Sequence, residues 1–136
     1  MIAEYTDVNS RLTADPAVKV YDAVRQDSTG KLLRETYLLL FPGAGDADDA
    51  RATSPQSPDS DVEYEWRIRV VSINTDGIML LVGKVRNLLS GQRPVAAGRD
   101  CSPIIVEDDG DVEPDYSITP PLLYCDLLIS FRSNRA

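Results

Sequence analysis

The 136-residue chain contains no histidine, one tryptophan and two cysteines. Without histidine, the commonest general base and the commonest metal ligand are both missing. Cys101 and Cys125 stand far apart, without metal-ligand spacing and with no histidine to activate a thiolate. Both are expected to be free thiols in a reducing compartment, with Cys125 in the core. No serine occupies a Gly-x-Ser-x-Gly elbow, and no glycine-rich nucleotide fingerprint follows a strand. Gly43-Ala44-Gly45 lacks the lysine of a phosphate loop and has acidic neighbours where a phosphate would sit. No catalytic, cofactor-binding or metal-ligating residue is assigned, no cofactor is expected, and an enzyme is disfavoured. No apolar run approaches the roughly 20 residues that cross a bilayer, so no membrane partner is expected. The opening Met1-Ile2-Ala3-Glu4-Tyr5-Thr6-Asp7 has no basic region followed by an apolar one, and no signal peptide is expected.

What is present is a change of period. From Val62 to Val70, apolar and charged residues alternate, with Tyr64, Trp66, Ile68 and Val70 on one side and Glu63, Glu65, Arg67 and Arg69 on the other. A period of two marks a strand with one buried face. After Asn74-Thr75-Asp76-Gly77, residues Ile78, Leu81, Val82, Val85, Leu88 and Leu89 recur at helical spacing. That spacing predicts a helix over about 75–90, capped by Thr75 or Asp76, with Met79 and Leu80 at its margin, in the core in preference to an intersubunit contact. Around this unit the sequence predicts a helix over 2–14 with a stripe of Ile2, Tyr5, Val8 and Leu12. A strand is expected over 18–24, near an edge because Asp22 spoils its alternation, then a turn over 26–31. A second strand over 35–41 is apolar on both faces, which suggests a central position. A short strand at 104–106, a hairpin turn at Asp108-Asp109-Gly110-Asp111 with a return arm over 115–118, and a core strand over about 122–132 complete the chain. The expected fold is α+β: one mostly antiparallel sheet of about five to six strands, with two helices packed on one face. The element order is α-β-β-β-α-β-β-β. A single domain over 1–136 is expected, with a long flexible loop at about 42–61.

The net charge of −8 is unevenly placed. Residues 42–65 hold seven acidic side chains against Arg51, and residues 107–116 hold six with no basic one. Together these are 13 of the 22 acidic residues, so the remainder is mildly basic. Two readings stay open. The acidic stretches are solvated loops that keep the chain soluble, or they meet basic surface on another copy in a head-to-tail ring. Asp46, Asp48, Asp49, Asp108, Asp109 and Asp111 on the acidic side, with Arg67 and Arg69 on the basic side, are the candidate subunit or partner interface. Duplex binding is disfavoured, because Lys and Arg never cluster and each acidic stretch repels phosphate. A calcium loop is disfavoured too, since the spacing of 108–113 lacks the 12-residue pattern.

The opening helical segment from Tyr5 to Leu12, the strand Val20-Tyr21-Asp22-Ala23, the strand from Tyr64 feeding the helix from Asp76, and the closing Leu127-Leu128-Ile129-Ser130-Phe131 together resemble the tail terminator (tail completion) proteins of long-tailed bacteriophages. The resemblance implies a virion protein assembled in the host cytoplasm and placed at the tail–neck junction. It implies a homo-oligomeric ring, a hexamer, that binds the tail tube protein on one side and a head-completion (stopper) protein on the other. DNA would pass through the ring without specific binding. The alternatives are a head–tail connector or stopper of the neck, and a small ligand-binding α+β domain with a pocket lined by Tyr64 and Trp66.

Overall fold

The computed structural model of the chain describes residues 2–21, 35–43, 45–47, 61–117 and 119–135. Two helices, α1 (Ile2–Thr13) and α2 (Thr75–Leu89), cover one face of a single sheet. The strands are β1 (Val20–Tyr21), β2 (Tyr37–Phe41), β3 (Asp46–Ala47), β4 (Val62–Ser72), β5 (Arg99–Cys101), β6 (Ile105–Asp108), β7 (Glu113–Asp115) and β8 (Leu122–Arg135). The α+β class, the mostly antiparallel sheet and the helices on one face agree with the sequence. Among the described residues the strand segments number eight, more than the five to six expected.

The centre is the antiparallel pair β4–β8, in register from Val62 opposite Ser133 to Ser72 opposite Leu123. Alternation on both strands sends Tyr64, Trp66, Ile68, Val70, Cys125, Leu127, Ile129 and Phe131 to the helix side, where all are buried. The aromatic rings of Tyr64, Trp66 and Phe131 pack with centroids 5.2–5.5 Å apart. Ile78, Leu81, Val85 and Leu89 of α2 close this core from above, with Val8 and Leu12 of α1 beside them. Burying each such side chain contributes about 1.5–3 kcal/mol.

Several boundaries differ from the sequence reading for identifiable reasons. α2 is capped by Asn74 rather than Thr75 or Asp76, the Asn74 side chain accepting a 2.7 Å bond from the Gly77 amide. Asn74 stands just before the helix in extended conformation, so its side-chain oxygen reaches forward to the Gly77 amide, whereas Thr75 is already the first helical residue. In α1, Ile2 is 83% exposed, and the buried stripe is Glu4, Val8 and Leu12, spaced four apart. β2 is not central: it lies between β4 and the edge strand β1, to which it is parallel. It is still buried on both faces, because Tyr37, Leu39, Val71 and Leu122 form a second, smaller cluster on the far side of the sheet. Asp108–Asp111 is not a hairpin turn. β5, β6 and β7 each pair antiparallel with β8, at 133–135, 127–130 and 122–124, so they are one edge strand broken twice. The 14 residues of β8 offer a ladder longer than any single short strand fills. Gly110, at φ +107°, supplies the break, and the Asp109 amide still donates to Asp126 O at 3.0 Å. The expected loop at 42–61 contains β3, paired with Val62 and Glu63, while residues 48–60 lie outside those described. So do the expected turn at 26–31 and the end of the first strand beyond Tyr21.

Candidate interaction surface

The face of the sheet away from the helices carries the side chains that alternation leaves outward. Strand register arranges them in rows. Phe41, Arg67, Leu128 and Glu107 stand side by side in one row, and Glu65, Ser130 and Ile105 in the next. Phe41, Pro42, Gly43, Glu65, Arg67, Arg69 and Leu128 line an open groove of about 490 Å³. Its charges are partly neutralised in place. Arg69 grips Asp126, its direct cross-strand neighbour, with two bonds of 2.8 and 3.0 Å, and lies 4.4 Å over the Tyr124 ring. The hydrogen bond to Asp126 is the main reason the guanidinium is held more firmly protonated than usual. Tyr124 in turn donates to Glu113 at 3.1 Å, and that bond leads the upward shift of its hydroxyl pKa.

The candidate interface residues do not form one cluster. Arg67 meets Asp109 at 3.4 Å, and Arg86 of α2 meets Asp108. Arg69 meets Asp126, which the sequence did not single out. Asp111 is exposed on the β6–β7 break, and Asp46 lies in β3. Asp48 and Asp49 lie outside the described residues. Acidic and basic candidates therefore meet within one copy as well. Met79 and Leu80, expected in the core in preference to an intersubunit contact, are 61% and 66% exposed and so not core. The Tyr64 and Trp66 rings are both buried in the core, and Trp66 Nε1 donates to Gly43 O at 2.9 Å.

One buried polar site went unnoticed in the sequence. Glu4 is only 2% exposed and accepts a 2.8 Å bond from Ser133 Oγ, while Arg99 Nε donates to that hydroxyl at 3.0 Å. Burial acts to raise the Glu4 pKa, but hydrogen bonds, Ser133's among them, outweigh it and hold the carboxyl below its ordinary value. The signal was the four-residue spacing to Val8 and Leu12, which places Glu4 on the inward side of α1. Both thiols are buried, and burial pushes each pKa up, which leaves neither poised as a nucleophile. Among the described residues, no group of three potential ligands could hold a metal ion, and no helix is long and apolar enough to cross a membrane.

The fold has solved counterparts. A chain in the virion of a native gene transfer agent particle superposes with a TM-score of 0.60 at 19% identity, over 97% of this chain and 92% of that one. A second solved chain matches with a TM-score of 0.58 at 12% identity, over 99% and 93%. At these identities the likeness is one of fold. No protein-family model and no curated protein matches the chain.

Proposed function

We propose that the chain is a structural virion protein: a ring-forming tail terminator that caps a phage-type tail tube and joins it to the head-completion proteins. The observation that carries this reading is the end-to-end likeness of fold to a chain of a gene transfer agent virion, covering nearly all of both chains. The surface agrees with an assembly role. An open groove on the sheet mixes apolar and charged side chains, and α2 presents exposed Met79 and Leu80. Carboxylates outnumber cations by eight over the chain, which suits a channel that lets DNA slide rather than bind.

The test is particle averaging of the purified chain in the electron microscope, alone and with purified tail tube protein, together with solution mass. Six-fold rings with a central channel, or a six-fold cap on tube ends that halts their growth, are expected. Binding to a capsid-side adaptor with no affinity for tube ends would reassign the chain to the stopper position of the neck. A monomer that binds neither partner would remove it from the tail altogether.

A further inference from the structure

Two uncovered apolar surfaces lie on opposite layers of the chain. On the helix layer, Asp76, Met79, Leu80 and Gly83 follow at three- and four-residue spacing along the outward side of α2, so they form one stripe. Gly83 has nothing within 4 Å of the place a Cβ would take. On the sheet layer lies the open groove, where Phe41, 40% exposed, and Leu128 supply apolar lining between the charged Glu65, Arg67 and Arg69. Single exposed apolar residues are ordinary on a monomer. A stripe and a groove of matching character on opposite layers are not covered by that explanation.

We infer that the α2 stripe of one copy seats in the sheet-face groove of a second copy. The inference rests on the ring reading above and names its subunit contact. Shape supports it first: Met79 and Leu80 form a ridge, and the bare Gly83 beside them lets the helix backbone approach closely. Charge selects a copy of this chain as the occupant. Asp76, one turn before Leu80, has no partner among the described residues. Among the described residues, Arg67, on the groove wall, has the 3.4 Å contact to Asp109 as its one ion pair, and half its side chain is exposed. With Leu80 against Phe41 and Leu128, which flank Arg67 in one row, Asp76 stands about 6 Å along the helix axis, within reach of Arg67. Layering supports it last: helix on sheet is how α2 already packs inside its own protomer, and the contact repeats that packing outward. Two different patches meet, so the contact is head-to-tail, the kind that closes into a ring or extends as a filament.

Such a contact has a signature that self-matching contacts lack. Leu80→Asp spoils only the stripe, and Phe41→Asp spoils only the groove. Each variant alone should sediment as a monomer with an unchanged circular dichroism spectrum. An equimolar mixture should give one-to-one dimers and nothing larger, because each partner contributes its one intact face. If Phe41→Asp fails to fold, Arg67→Glu replaces it, and adding Asp76→Lys to Arg67→Glu in the same chain should restore assembly. Wild-type oligomers that survive both single substitutions would overturn this contact and leave the ring reading standing. Variants that stay monomeric when mixed would overturn it too. A wild type that stays monomeric even with tail tube protein would remove the ring reading and this contact together.

Discussion

Two glycines in one helix should respond to the same substitution with opposite signs. Helix propensity alone favours alanine over glycine by about 0.8–1 kcal/mol at an interior position. At Gly83 nothing opposes that gain: φ is in the ordinary helical range and the space for a Cβ is open. Gly83→Ala should therefore stabilise the monomer by about 0.5–1 kcal/mol, raising Tm by about 2–4 °C for a chain of this size. At Gly77 a Cβ would press into Ser72 Oγ, and would stand 3.0 Å from Thr36 Oγ1 and 3.1 Å from Asn74 Oδ1. The first two atoms are hydrogen-bonded to each other at 2.9 Å, and the third is the cap that receives the Gly77 amide. Ser72 is fully buried, so it has little room to turn away. Overpacking of this kind costs about 1–3 kcal/mol, which offsets the propensity gain, and Gly77→Ala should lose up to about 2 kcal/mol net. Urea unfolding followed by circular dichroism measures both, provided the m-value is unchanged. A double-mutant cycle isolates the cause, since Ser72→Ala removes the obstructing hydroxyl and should shrink the penalty of Gly77→Ala. If Gly77→Ala stabilises as much as Gly83→Ala, the Ser72 contact is not what glycine is there to avoid. The Gly83→Ala chain carries a second expectation: a more stable monomer that assembles less well, because the methyl group stands where the neighbouring sheet would approach.

Two further perturbations probe the polar sites. The Glu4 carboxyl has a lowered pKa in the folded chain, so its contribution is fully present above the unfolded-state value, about 4.3, and is lost as pH falls through the lower folded value. Glu4→Gln should cost about 1–2 kcal/mol at pH 7, and its stability should fall less than wild type's between pH 5 and acid; parallel profiles would mean Glu4 is not the titrating group. Asp126→Asn should lower stability by about 0.5–1 kcal/mol, a figure kept small because Arg69 is more than one-third exposed. The loss should diminish in about 1 M salt, and salt-independent destabilisation would assign the effect to packing against Tyr124 instead.

The core was legible because its signals are local. Alternation through Tyr64, Trp66, Ile68 and Val70 specifies both a strand and its inner face, and tertiary contact only had to agree. Charge partners were not legible, because pairing depends on register between strands distant in sequence. Arg69 and Asp126 are 57 residues apart and meet only because Val62 lies opposite Ser133. The same dependence explains the missed edge. Asp-Gly at 109–110 is a strong local hairpin signal, yet β8 is long enough to pair both flanking segments, and the ladder it offers outweighs a local turn preference. Glu4 failed for another reason: a carboxylate on the inward stripe of a helix contradicts polarity rules unless a partner as remote as Ser133, itself held by Arg99, is already in place.

The paired charges change what the acidic segments can be doing. Read along the chain, 107–116 is a block of six uncompensated carboxylates waiting for a foreign cation. In the fold, Asp108 and Asp109 have cations of their own in Arg86 and Arg67, Glu113 accepts from Tyr124, and Asp115 accepts from Ser117. Much of that block is therefore spent holding the broken edge strand against β8 and α2, which also blunts the edge against stray strand addition. Among the described residues, the two surfaces proposed for association are less charged than that block: a stripe of Met79 and Leu80 ending in Asp76, and a groove where Phe41 and Leu128 stand beside Glu65, Arg67 and Arg69. A contact built on those two surfaces draws its strength from buried hydrocarbon, with one ion pair to set the register, and should therefore resist salt far better than an interface made of acidic loops.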